Sequence, residues 1–237
     1  MTSPFYTSPE QLVRDRSEYA RKGISRGRSV VVVTYADGIL FVAENPSRTL
    51  HKISEIYDRI AFAGVGRYNE FDQLRVAGVR HADLKGYSYS REDVDARSLA
   101  NAYAQILNQV FTHEIKPLEV EILVAEVATA EGGSHDQLYH ILYDGTVMDE
   151  DHFSVLGGEA EQITERIEAS WQEGLDLGAG IAVAVAALAG DDRSLGADDL
   201  EVAILSRHNG RRAFRRIEGD ELASLAPAPA PSDSSGG

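Results

Sequence analysis

Cysteine is absent from the 237-residue chain. That excludes disulfides, thiol catalysis and cysteine-ligated zinc, and it fits a reducing compartment. Basic residues are scarce: 23 Lys and Arg stand against 38 Asp and Glu, a net charge of −15. So acidic a surface repels phosphate backbones and anionic headgroups, which argues against nucleic acid and membrane as partners. By itself it names no substrate. No apolar run is long enough for a bilayer. The longest, residues 178–190, is about 13 residues of mostly small side chains, where a spanning helix needs roughly 20; a buried helix is expected instead. The first residues, MTSPFYT, offer neither a basic region nor an apolar core, so no signal peptide is expected. With 43% hydrophobic and 26% charged residues, the composition is that of a soluble globular protein able to bury a substantial core, and a cytoplasmic location is expected.

What is present is a series of hairpin and helix signals in a particular order. Ser8 as N-cap, Pro9 at the first helical position and Glu10 in the first turn predict a helix over residues 9–23. Leu12, Tyr19 and Ala20 mark its apolar face, Arg14, Asp15, Arg16 and Arg21 the other, and Gly23 stops it. Two strand-like runs, residues 29–35 (SVVVVTY) and 39–44 (ILFVAE), flank Asp37-Gly38, which reads as a two-residue primed turn with the glycine at positive φ. One further extended run covers residues 56–64.

Tyr68, Phe71, Leu74, Gly78 and Val79 then follow helical spacing, as do Leu99, Tyr103, Ile106 and Val110. Residues 118–124 alternate, predicting a strand buried mostly on one face. Short strands follow near 137–143, 146–148 and 153–156, then helices marked by Ile163, Ile167 and Trp171 and by Leu177, Ile181, Val185 and Leu188. A last hairpin pairs 200–206 with 212–217 about Asn209-Gly210. Residues 223–237, rich in Ala, Pro, Ser and Gly, cannot bury a core and are expected to be disordered. Strands, two helices, strands, two helices, strands is not the alternation of a parallel fold. It predicts an α+β protein with antiparallel sheets and paired helices outside.

These elements carry a resemblance. Ser8-Pro9-Glu10-Gln11, Glu18-Tyr19-Ala20-Arg21-Lys22-Gly23, Asp37-Gly38-Ile39-Leu40, His51-Lys52-Ile53, the stretch from Phe62-Ala63-Gly64 to Asn69-Glu70-Phe71, and Tyr143-Asp144-Gly145 stand at matching spacings. From about residue 4 to 220 the chain resembles the α-type subunits of the 20S proteasome, most closely the actinobacterial ones. The fold this implies is a four-layer αββα sandwich, the N-terminal-nucleophile hydrolase fold, with an extra N-terminal helix. Its divisions would be a gating segment 1–8, a domain 9–222 and a tail 223–237.

Catalytic members of that fold use a Thr, Ser or Cys that becomes residue one, its own amine serving as base. By the family's spacing Arg28 stands in that place. It has no hydroxyl or thiol and stays protonated. A chain cut before the neighbouring Ser29 would lose the helix, so no catalytic residue is expected. Other candidates are weak. Gly64-Val65-Gly66 lacks the third glycine and the Lys-Ser/Thr of a phosphate loop. His135 and His140 are the closest histidines in a scattered set, and no carboxylate pattern makes them a metal pair. Ser8, Ser29 and Ser154 lack a nucleophile-elbow context, and Asp149-Glu150-Asp151 reads as solvated loop. No metal and no cofactor are expected.

Lys52, between Leu50 and Ile53, reads on its own as a surface lysine at a strand end. The resemblance gives it another role: it matches the lysine that meets an activator's C-terminal carboxylate in a pocket between adjacent α subunits, a recurring mode of chain-end capture. The resemblance also implies that Met1, Thr2, Ser3, Pro4, Phe5, Tyr6, Thr7 and Ser8 form a gate, without the Tyr-Asp-Arg triplet of archaeal and eukaryotic gates. His113, Glu114, Ile115 and Lys116 fall at the pore constriction, in place of a Gly-rich archaeal loop. The implied protein is a non-catalytic α-ring subunit. Its partners would be proteasome β subunits, copies of itself in a seven-membered ring, an AAA ATPase of the ARC/Mpa type docking by its C-terminal tails, and unfolded, Pup-tagged substrates. Two alternatives are a catalytic peptidase of the same fold and a stand-alone binding protein.

Overall fold

The computed structural model describes residues 8–129 and 135–226. Two five-stranded antiparallel sheets form its centre. The first runs β10-β9-β2-β1-β8 and the second β3-β4-β5-β6-β7. In chain order the strands are β1 (Val30–Tyr35), β2 (Gly38–Glu44), β3 (Ile53–Tyr57), β4 (Ile60–Gly66), β5 (Val120–Glu126), β6 (Gln137–Ile141), β7 (Val147–Glu150), β8 (Phe153–Leu156), β9 (Leu200–Ser206) and β10 (Phe214–Ile217). The helices are α1 (Pro9–Ile24), α2 (Tyr68–Ser88), α3 (Ala96–His113), α4 (Ala160–Ser170), α5 (Leu177–Ala189) and α6 (Gly219–Leu225).

Strand periodicity explains the layers, since successive side chains leave a strand on opposite faces. Along β1, Val30 and Val32 enter the core between the sheets, while Val31, Val33 and Tyr35 join Ile163, Ile167, Ile181 and Leu188 of α4 and α5. Across β5, Leu123 and Ala125 face the inter-sheet core, whereas Ile122 and Val124 meet Leu99, Tyr103 and Leu107 of α3 and Phe71 and Leu74 of α2. The expectation that the 118–124 strand is buried on one face is therefore corrected: β5 is apolar on both faces because helices cover the second. Alanines at 43, 61, 63, 125 and 203 line the inter-sheet side, leaving room for the sheets to approach. Where α2 crosses α3, Gly78 is obligatory, because a Cβ there would lie 1.8 Å from the Tyr103 hydroxyl oxygen.

Local expectations differ at a few points. Residues 56–64 are not one strand but parts of β3 and β4, which pair through a turn at Asp58-Arg59; without Gly or Pro that turn carries no sequence signal. In the β1–β2 hairpin Tyr35 pairs with Gly38, so Ala36 and Asp37 are the loop. Neither has positive φ, which excludes the primed turn. Gly38 is required for another reason: a Cβ there would sit 1.9 Å from the Leu205 carbonyl oxygen of β9. The helix expected through Trp171 stops one residue earlier, with Trp171 as C-cap and its indole N–H donating to the Thr34 carbonyl at 3.1 Å. Residues 223–225, expected in the tail, continue α6, with Leu222 buried and Leu225 packed on the same cluster. Ala226 caps α6, and the rest of the expected tail, 227–237, lies outside the described residues. Among the described residues no helix is long and apolar enough to cross a membrane.

α1 closes one end of the sandwich. Its cap is the expected one, Ser8 Oγ accepting from the Gln11 N–H at 3.2 Å. Ala20 and Ile24 are its buried residues and both enter the inter-sheet core. Arg16 donates to the Phe111 carbonyl and Arg21 to the Tyr143 hydroxyl at 3.1 Å. Of the apolar face expected at Leu12, Tyr19 and Ala20, only Ala20 is buried. Leu12 is 48%, Val13 52% and Tyr19 45% exposed.

Candidate functional site

Lys52 immediately precedes β3, and two buried carboxylates from the other sheet surround it. The loop before it is held by Asn45, whose Nδ2 donates to the Leu50 carbonyl at 2.7 Å and whose Oδ1 accepts from the Ser47 N–H at 3.1 Å. Glu201 on β9 reaches across the sandwich. Its carboxylate accepts from the N–H of Lys52 at 2.8 Å and of Ile53 at 3.1 Å, from Asn45 Nδ2 at 2.8 Å and from Arg216 Nη1 at 2.8 Å. Four donors on one buried carboxylate satisfy its charge.

The Lys52 ammonium donates to the carbonyl of Arg28, in the link between α1 and β1. The Arg28 guanidinium turns to Glu44 at the end of β2, a carboxylate only 6% exposed against 55% for the arginine. Arg193 grips the same carboxylate, with Nη1 at 3.1 Å from both oxygens, and donates to the Leu188 carbonyl at 2.7 Å. A cavity of about 240 Å³ opens beside this clamp, lined in part by Arg26, Arg28, Glu44, Ile163 and Arg193. Burial lowers the Lys52 pKa to about 8, against the pull of Glu201 and then Glu44, with Arg28 adding to the lowering. The site is therefore a half-buried ammonium at the edge of neutrality, which an incoming anion would hold charged.

The remaining expected residues lie elsewhere. His113 ends α3 and Glu114 caps it. Ile115 is 97% exposed. Lys116 instead folds back, 2.6 Å from Glu70 Oε1 and 3.0 Å from Glu119 Oε2, where Arg67 also binds Glu119 at 3.0 Å. Burial opposes the Lys116 charge, but the hydrogen bonds of Glu70 and Glu119 prevail and raise its pKa. Of the gating segment, residues 1–7 lie outside the described residues and Ser8 is the α1 cap.

Two partnerships were not legible in the sequence. One is the Glu44 and Glu201 pair described above. The other joins the sheets: His140 of β6 lies with Nε2 2.7 Å from Glu121 Oε1 of β5, and with Nδ1 3.2 Å from the Ser154 hydroxyl oxygen of β8 and 3.7 Å from Glu150 Oε1 of β7. Ser, His and carboxylate here have the connectivity of a nucleophilic triad but not its charge state. Burial works against the imidazolium, yet Glu121 and Glu150 together raise its pKa to about 9. An imidazole already protonated at neutral pH cannot take the serine proton. The cluster is an ionic clasp between the sheets.

The family model described as proteasome subunit matches residues 24–205. The chain is 62% identical over 222 residues to the proteasome subunit alpha of Acidimicrobium ferrooxidans, covering 94% of this chain and 95% of that protein. It is 58% identical over 240 residues to the proteasome subunit alpha of Saccharopolyspora erythraea, covering 100% and 93%. With that of Rhodococcus jostii it shares 56% over 238 residues, covering 98% and 92%.

Proposed function

The chain belongs to the proteasome subunit family, and on that premise we propose that it is the non-catalytic α subunit of a 20S core particle. Seven copies form each outer ring and cap rings of catalytic β subunits. The ring admits unfolded, Pup-tagged chains to the proteolytic chamber and docks an ARC/Mpa-type AAA ATPase, whose C-terminal carboxylates bind at Lys52. Residues 1–8 gate the pore and residues 113–116 line it. The ring needs no cofactor of its own and works in the cytoplasm.

The observation that carries this reading is the continuity of α1 with β1. Ala20 and Ile24 anchor α1 in the core at the end where β1 begins, so the chain enters that strand from a packed helix and not from a free amine. Two residues before the strand stands Arg28, bound through Nη1 to Glu44. Both features oppose N-terminal-nucleophile chemistry. Support for a ring comes from the exposed Leu12, Val13 and Tyr19 on α1, apolar surface that a neighbouring subunit would cover. Co-expression with the β subunit, followed by native mass measurement and peptidase assay, tests the assignment. A multi-ring barrel whose activity vanishes with the β nucleophile is expected. A chain that stays a monomer of 25.8 kDa would favour the stand-alone binding protein.

A further inference from the structure

We infer that Glu201 is the positioning residue for Lys52: it fixes the backbone at the head of β3 and keeps a negative charge beside the ammonium. The proposal rests on the reading of Lys52 as a docking lysine. β3 is an edge strand, and the N–H groups of Lys52 and Ile53 both donate to the Glu201 carboxylate from the other sheet. The Lys52 carbonyl is taken by the Gly64 N–H of β4 at 3.0 Å. The backbone of residue 52 is thus pinned on both sides.

Satisfying a buried carboxylate does not require this arrangement. Arg216 and Asn45 already bind Glu201, and a guanidinium with an amide meets much of its demand. The two backbone donors are the ones that transmit its position to Lys52. Its charge acts as well. The charged groups facing the Lys52 ammonium are Glu201 from β9, Glu44 from β2 and Arg28 from the α1–β1 link. Arg216 shares Glu201 and Arg193 shares Glu44, while His51 Nδ1 lies 3.3 Å from Glu201 Oε1. Of these, Glu201 is the largest influence keeping Lys52 protonated against burial.

The test uses barrels assembled with β subunits and carrying wild-type or Glu201→Gln α chains. Acylation of the Lys52 amine as a function of pH, read by peptide mass spectrometry, reports its protonation without any activator. The wild-type midpoint is expected near 8, and Glu201→Gln should lower it by about one unit or more. Near pH 7.5, a one-unit fall leaves roughly threefold less protonated lysine, so affinity for the ARC/Mpa-type ATPase should drop at least that much there, and the deficit should shrink at lower pH, where the amine is protonated in both proteins. A purely structural loss would weaken docking without moving the midpoint. Should Glu201→Gln not assemble, Glu201→Asp keeps the charge and shortens the reach: the midpoint stays near the wild-type value while docking weakens. An unmoved midpoint in Glu201→Gln, or wild-type docking in Glu201→Asp, overturns the proposal. If the midpoint falls but neither Glu201→Gln nor Lys52→Ala changes ATPase affinity, the docking reading fails and Glu201's hold on Lys52 stands.

Discussion

At the residue scale, two cationic side chains beside carboxylates are moved in opposite directions by their surroundings. Lys52 is lowered to about 8, because burial outweighs Glu201 and Glu44. His140 is raised to about 9, because Glu121 and Glu150 outweigh burial. The first difference concerns docking. A charge-assisted contact to a carboxylate is worth about 1.5–3 kcal/mol, roughly 10- to 150-fold in affinity per site. Lys52→Ala should leave barrel mass unchanged and weaken ATPase binding, though several tails on one ring mask part of the loss through avidity. An unchanged affinity in surface plasmon resonance would reduce Lys52 to a surface lysine.

The second difference concerns stability. A histidine raised from 6.5 to about 9 on folding contributes about 3 kcal/mol, fully present below the unfolded value and lost as pH rises through 9. Chemical denaturation from pH 6 to 10 checks this. The excess stability of wild type over His140→Leu should shrink at the alkaline end, and a constant difference would mean the imidazole does not titrate there.

At the scale of elements, α1 decides most. It is anchored at its C-terminal half by Ala20 and Ile24, while its N-terminal half shows Leu12 and Val13 to the outside. The gate of the proposed reading, residues 1–8, directly precedes that half. Deleting residues 2–8 leaves Pro9 to begin the helix, so assembly should survive. With active β subunits the truncated barrel should cleave small peptides several-fold faster without activator, an order-of-magnitude expectation for gated access. Equal basal rates for truncated and intact barrels would move the barrier to the proposed constriction at residues 113–116. Lys116 is tied there to Glu70 and Glu119, while His113, Glu114 and Ile115 are exposed.

For the whole molecule, the proposed assignment implies a division of labour. A first strand entered from a packed helix, with Arg28 two residues ahead of it, opposes the amine-bearing nucleophile chemistry of this fold. Purified alone, it should turn over no fluorogenic peptide. Turnover that survives removal of every β contaminant, followed by N-terminal sequencing showing a chain that starts at Ser29, would reverse that assignment.

The sequence by itself determined most element types and their order, and with them an α+β class with antiparallel sheets; the four layers were implied by the family resemblance. Hydrophobic spacing and caps are local quantities: Ser8-Pro9 begins α1, and the valines of β1 are legible as they stand. Lys52 and Arg28 were marked only through the family resemblance. Tertiary structure decided what those residues touch. The second buried face of β5 depends on α2 and α3 arriving from elsewhere in the chain. The need for Gly38 comes from β9, far away in sequence. Glu201 meets Lys52 across 149 residues and Arg193 meets Glu44 across the same separation. Carboxylates in alternating strands look like any solvent-facing glutamate until the sheets stack, and only then does desolvation force each to find its cation.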